Sequence, residues 1–260
     1  MHNKQKIQQM KYRGLIFDYG GTLDTGGCHW GKHIWHAYQE SSVPVSEQQF
    51  REAYVHAERT LGRNPIIKPD FTFRDTLAKK LELQLQYLDA IASESGSASS
   101  GTSLSLLLGM KSSLLDRLYA ATQHHTAHSR EILMQLREQG LSMVLVSNFY
   151  GNIHTVLREF MLDGLFSHVV ESAVVGVRKP DPRIFKLGVE ALGLNASEVV
   201  VVGDSIDKDI IPARQAGCQT VWISGEQWTD DPVDTSQADG IISDLAELQG
   251  LVSSVGSISP

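Results

Sequence analysis

The stretch Leu15-Ile16-Phe17-Asp18-Tyr19-Gly20-Gly21-Thr22-Leu23-Asp24 leaves the chain little choice of architecture. An apolar run stops at a carboxylate and is followed by two glycines and a hydroxyl. It reads as a buried parallel strand delivering Asp18 at its C-terminal end, where open α/β sheets place their chemistry. The glycines let the backbone fold closely around a small anion or ion, and Thr22 can donate a hydrogen bond to it. Many strands end in Asp simply because Asp forms turns. The weight therefore falls on what comes later in the chain.

After Asp24 the pattern changes from strand to helix. Ile34, Trp35 and Tyr38 share one helical face, and Ser46 with Gln49 makes a capping box that opens a helix carrying Phe50, Tyr54, Ala57 and Leu61. The run from Asn64-Pro65 to Pro69 breaks that helix. Thr72 with Asp75 opens another, with Leu77, Leu81, Leu85 and Leu88 in one stripe. Serine and glycine from Ser93 to Ser103 predict a flexible loop, and a fourth helix is expected from Leu104 to Ala120. Beyond Ser129 the chain reads as βαβ units. A helix carrying Ile132, Leu133 and Leu136 closes at Gly140, ahead of a strand over 143–146. A helix with Ile153, Val156, Leu157 and Phe160 follows, then a short strand at 168–171 and a helix that Asp181-Pro182 opens and that runs to Leu192. Strands are expected at 199–202, 220–223 and 240–243. The expected fold is α/β: a three-layer parallel sheet with right-handed connections, interrupted by a helical bundle inserted after the first strand.

Four short segments occur in order: Asp18-x-Gly-Gly-Thr22-Leu, Val146-Ser147-Asn148, Arg178-Lys179-Pro180-Asp181, and Gly203-Asp204-Ser205 with Asp209. Together they resemble the four motifs of the haloacid dehalogenase-like (HAD) hydrolase superfamily. The resemblance implies a Rossmann-like core over residues 1–24 and 125–260 and an inserted C1-type cap over 25–124, which covers the site and carries substrate choice. It implies a phosphatase acting on a small phosphorylated metabolite, with Asp18 as nucleophile and magnesium as cofactor. The implied metal ligands are Asp18, the backbone carbonyl of Gly20 and Asp204, with Asp209 acting through water. Most phosphatases of the superfamily carry a second Asp two residues after the nucleophile. Here that position is Gly20.

The residues support this chemistry on their own terms. Acids converging at Asp18, Asp204 and Asp209 repel one another unless a cation sits among them, and magnesium is a hard cation that takes oxygen ligands. Ser147, at a strand end beside a helix start, can offer its hydroxyl and neighbouring amides, with those of Thr22 and Asn148, to a phosphoryl oxygen. Lys179 can supply a point charge against the transferred group. The plainer readings are helix caps for Ser147, Asp204 and Asp209, and a solvated lysine at 179. Arg178 and Asp207 are assigned to solvent, and Asp24 to shaping the turn.

With 260 residues the chain has length for one large domain or two modest ones. A formal net charge of −7 opposes a nucleic-acid surface. The polar, basic residues 1–14 resemble neither a signal peptide nor an anchor, and no run approaches a membrane span. Cys28 and Cys218, far apart in sequence, fit a reduced cytoplasmic protein better than a disulfide framework. His124 and His128 stand four apart, a helical metal spacing, but without a third ligand they are expected in a solvated linker. His29, Trp30 and His33 lie where the chain leaves the core, within reach of the site as a proton donor or as plain hinge packing. Two other functions remain open: a phosphonatase-like reaction needing a Schiff-base lysine from Lys32, Lys68, Lys79 or Lys80, and a phosphate-binding protein without turnover.

Overall fold

The computed structural model describes residues 12–94 and 104–251. The expected loop at 93–103 lies almost wholly outside the described residues, as do residues 1–11 of the basic N-terminal segment. The chain runs β1 (Gly14–Phe17), α1 (Trp30–Glu40), α2 (Glu47–Arg63), α3 (Phe73–Glu94), α4 (Leu104–Glu138), β2 (Ser142–Ser147), α5 (Ile153–Glu159), β3 (His168–Glu171), α6 (Ser172–Val175), α7 (Arg183–Leu192), β4 (Val199–Gly203), α8 (Ile211–Gln215), β5 (Gln219–Ile223), β6 (Gly240–Ile242) and α9 (Leu248–Leu251). The six strands form one sheet in the order β3-β2-β1-β4-β5-β6, parallel throughout.

Alternation along the strands divides the core into two layers. Leu15, Phe17, Met143, Leu145, Val200 and Val202 face one side, with Leu133 and Leu136 of α4 and Val156 and Leu157 of α5. Ile16, Val144, Val146, Val199 and Val201 face the other, with Ile184 and Phe185 of α7 and Ala213 of α8. Both faces are covered, which is why the strands carry unbroken apolar runs instead of an alternating pattern.

The helices after β1 form as their sequence signals require. The Ser46 hydroxyl accepts from the Gln49 amide, completing the capping box of α2. Leu77, Leu81, Leu85 and Leu88 of α3 are all buried. One expectation changes. The helix foreseen at 104–120 and the one after Ser129 are a single helix, α4, and residue 124, the expected edge of the insert, lies inside it. No proline or glycine interrupts residues 110–138, and the inner face continues past Leu114 and Leu118 through buried Thr122, Thr126 and Ser129 before returning to Ile132. These hydroxyls break the apolar stripe but not the helix. Thr126 donates back to the Thr122 carbonyl at 2.8 Å, and Ser129 donates to the Leu23 carbonyl at 2.7 Å, stitching α4 to the turn that follows Asp18. His124 and His128 therefore ride on a helix, where His128 pairs with Asp244 at 2.9 Å.

Candidate active site

Strand order locates the site before any side chain is considered. The first crossover goes from β1 to β2 on one side and the chain later returns to place β4 on the other, so the direction of winding reverses beside β1, where such sheets bind ligands. Phe17 is level with both Leu145 and Val202, and the Asp18 amide continues the ladder to the Val202 carbonyl at 3.0 Å. Asp18, Asp204 and Ser147 thus leave neighbouring strands at almost the same height.

Two glycines make the close approach possible. Gly21 has φ +98°, and a Cβ there would lie 2.3 Å from an Asp204 carboxylate oxygen; a Cβ on Gly203 would lie 2.4 Å from the Cβ of Asp209. The carboxylates of Asp18, Asp204 and Asp209 consequently converge, with one oxygen of each within 4.8 Å of the others, and all three residues are buried. The Lys179 ammonium sits among them, 2.5 Å from Asp18 and 2.7 Å from Asp209. Thr22 donates to Asp204 at 3.1 Å and the Trp222 indole donates to the Asp204 carbonyl at 2.7 Å. The Ser205 hydroxyl, not Asp204, accepts from the Lys208 amide at the start of the π-helical turn Ile206–Ile210. That leaves the Asp204 carboxylate free of capping work.

One ammonium does not balance three buried carboxylates. Burial raises the Asp18 carboxyl to about 6 against the pull of Lys179, with Asp209 adding to the rise. Burial, then Asp209 and Asp18, pushes Asp204 well above the ordinary carboxylate range. Burial alone would lower Lys179, but Asp18 and Asp209 hold its ammonium above the usual value. An oxygen-only donor set with this surplus of negative charge fits a hard divalent cation.

The site opens into a cavity of about 860 Å³ between the strand ends and the helices inserted after β1. Asp18, Gly20, Ser147, Asn148, Lys179, Asp204 and Asp209 line it. Thr22 lies beneath, buried against Asp204. Asn148 clamps the backbone of Lys179, accepting from its amide at 2.9 Å and donating to its carbonyl at 3.1 Å. Asp24 accepts from the Gly21 amide at 2.7 Å and from the Trp30 indole at 2.9 Å, and burial raises its carboxyl to about 7. Trp30 packs over Gly20, yet a Cβ at Gly20 would meet it only at 3.8 Å, an ordinary contact.

His29 lines the cavity and His33 does not. The His29 Nδ1 accepts from the Gly31 amide, capping α1, and burial aided by Lys208 pushes its pKa down to about 4, so the ring is neutral near pH 7. His33 packs against Trp30 and His125, and burial lowers its pKa to about 4 as well. The residues that sequence reading missed are Glu58 and Tyr150. Glu58 pairs with Lys80 at 2.6 Å and accepts from the Tyr150 hydroxyl at 3.0 Å, on the cavity wall opposite Asp18's strand. No local pattern marks them, since Glu58 comes from α2 and Tyr150 from the loop after β2. Arg178, assigned above to solvent, also lines the cavity.

Comparison with known proteins agrees with this arrangement. A glyceraldehyde 3-phosphate phosphatase of Pyrococcus abyssi is 38% identical over 96 residues, 36% of this chain and 40% of the relative. The chain spans about half the length of the curated relatives it matches in this way. A ribulose-1,5-bisphosphate 5-phosphatase of Halopiger xanaduensis is 31% identical over 222 residues, 83% of this chain and 87% of the relative. Among solved structures, a dehalogenase captured as an intermediate complex shares the fold at 19% identity, with a TM-score of 0.58 over 94% of this chain and 98% of that one. The model of the hydrolase family described as haloacid dehalogenase-like matches residues 12–217. With the parallel sheet, the acids at its switch point and a family match over most of its length, the chain belongs to the haloacid dehalogenase-like hydrolases.

Proposed function

We propose that the protein is a magnesium-dependent phosphatase that hydrolyses a small phosphorylated metabolite through an aspartyl-phosphate on Asp18. The observation that carries this reading is the meeting of Asp18, Asp204, Asp209 and Lys179 at the floor of one cavity. The phosphatases of Pyrococcus abyssi and Halopiger xanaduensis support the substrate class. Asp18, the Gly20 carbonyl and Asp204 would hold the ion, with Asp209 acting through water. When bound, magnesium would supply positive charge against the phosphoryl oxygens.

The chain's own groups do the rest. An Asp18 oxygen attacks phosphorus, the bond to the ester oxygen breaks, and water then cleaves the acyl phosphate to restore Asp18 and release phosphate. Ser147, with nearby amides, holds phosphoryl oxygens, while Thr22, expected from the sequence to do the same, lies beneath the cavity and spends its hydroxyl on Asp204. Lys179, its backbone clamped by Asn148, places its ammonium against charge that grows in the transition state. We assign α1–α3 and the first half of α4 as the cap. The free thiols Cys28 and Cys218 support a reducing compartment, the cytoplasm.

A carbon–phosphorus hydrolase is disfavoured by the state of its required lysine. Of the four lysines considered, only Lys80 lines the cavity. Burial would lower its pKa, but Glu58 outweighs burial and keeps the ammonium charged, whereas a Schiff base needs the free amine. The test of the main reading is release of inorganic phosphate from a panel of phosphate esters, with and without magnesium. The native protein should turn over and Asp18→Asn should not. Near-normal phosphate release by a highly purified Asp18→Asn protein would falsify the mechanism.

A further inference from the structure

The cavity carries a second set of charges besides the carboxylates and Lys179. Arg63, Arg178 and Lys208 line both the main cavity and an adjoining groove of about 450 Å³ that runs beside α2. They reach it from three separate places: the last residue of α2, the residue before Lys179, and the π-helical turn that also carries Asp209. The Arg178 guanidinium stretches from the core to the cap, since a Cβ on Gly62 would lie 3.7 Å from its Nη1. The Lys208 charge is felt across the groove, where it helps to keep His29 neutral and Glu58 ionised.

None of the three cations forms an ion pair among the described residues. The acid that lines the same groove, Glu58, is already matched by Lys80 at 2.6 Å and by the Tyr150 hydroxyl. The helix macrodipole explains why Arg63 is favourable at the C-terminus of α2. It does not explain Arg178 and Lys208, which come from core loops. All three side chains are exposed, so solvent and salt screen their mutual repulsion, and an anion in the groove would meet three unpaired cations in a chain of formal net charge −7.

We propose that Arg63, Arg178 and Lys208 form a subsite for a second anionic group, so that the substrate is a phosphate ester carrying another phosphate or a carboxylate at its far end. This rests on the phosphatase reading above. The guanidinium groups match either anion with paired N–H donors, and the lysine adds a point charge.

The test uses three phosphate esters on one three-carbon frame: glycerol 3-phosphate, 3-phosphoglycerate and glycerol 1,3-bisphosphate, whose far ends are a hydroxyl, a carboxylate and a phosphate, with rates for the bisphosphate taken per phosphate. At least one doubly anionic ester should exceed glycerol 3-phosphate in kcat/KM by about tenfold or more, the scale of one charge-assisted hydrogen bond. Which ester gains tells carboxylate from phosphate. Arg63→Gln and Arg178→Gln should each cut that ratio by about tenfold, chiefly through KM. A native ratio near one, or a ratio that neither variant changes, overturns the subsite. Should no ester, p-nitrophenyl phosphate included, release phosphate, the phosphatase reading fails and calorimetric binding of glycerol 1,3-bisphosphate decides the subsite. Weaker binding by Arg63→Gln than by the native chain then supports it, and equal or absent binding overturns it.

Discussion

Lys179 shows how much a single residue's role depends on where the fold puts it. Held 2.5 Å from Asp18 and buried, its ammonium cannot be the solvated surface charge that most lysines are. Lys179→Ala should lower turnover by about two decades or more, the scale of losing an electrostatic stabiliser of the transition state. A fall of less than about twofold in kcat would return it to a packing role. Gly20 carries the complementary expectation. An Asp at that position would supply general acid–base help worth about 10²–10⁴-fold. Without it, esters of weakly acidic alcohols should react slowly, while aryl and acyl phosphates, which leave with little protonation, should suffer less. Because a Cβ at Gly20 meets only Trp30, at 3.8 Å, Gly20→Asp should accelerate alkyl phosphates selectively. Rates over a series of esters graded by leaving-group pKa check this on both proteins, and parallel plots would show that another group already provides the proton. His29 faces the cavity but is neutral near pH 7, so it can serve as a base toward the attacking water and not as the acid for the leaving oxygen.

At the scale of elements, one cluster ties the inserted helices to the sheet. Glu58 on α2 holds Lys80 on α3 and the Tyr150 hydroxyl from the loop after β2. Burial alone would raise the Glu58 carboxyl, but Lys80 and Tyr150 together keep it below its ordinary value. A carboxyl lowered by folding contributes stability above its unfolded pKa, and that contribution fades as pH falls through the folded value. Glu58→Gln should therefore destabilise the protein near pH 7 by about 1–2 kcal/mol, a buried-pair loss reduced because the Glu58 side chain keeps 32% exposure. The difference from the native protein should shrink as pH falls below about 4. Urea unfolding of both proteins at several pH values reads it directly; a difference that persists unchanged into acid would assign the loss to packing.

For the whole molecule, the sheet order decides where charge accumulates. Three acids and one lysine meet at the switch point because β4 returns to the side of β1 opposite β2, and the assembled fold is left with an uncompensated negative site. An ion that binds the folded chain and not the unfolded one stabilises it by mass action, by about 2.7 kcal/mol at a hundredfold excess over Kd. Magnesium should accordingly raise the melting temperature and restore turnover after chelation, and Asp204→Ala should abolish the thermal shift. Full activity in excess chelator, or an equal shift in Asp204→Ala, would remove Asp204 from the site.

The strand that ends at Asp18 was legible because burial on both faces demands an unbroken apolar run, and the helices from Trp30 to α3 because each carries its own cap or stripe. Local rules of this kind act within a few residues, so sequence alone determined the α/β class, most element positions and the acids and lysine of the site. It failed where the deciding contact is remote. Ser129 read as the start of a separate helix because its partner, the Leu23 carbonyl, is visible only once α4 lies against the core. Glu58 and Tyr150, 92 positions apart, carry no local signal and meet only when the fold brings α2 beside the loop after β2. Arg178 is exposed, as expected from the sequence, and only the fold shows that it also borders the cavity beside Gly62 of α2. The chemistry at the strand ends is written in local spacing, whereas the wall that faces the substrate is made of residues that meet only through tertiary packing.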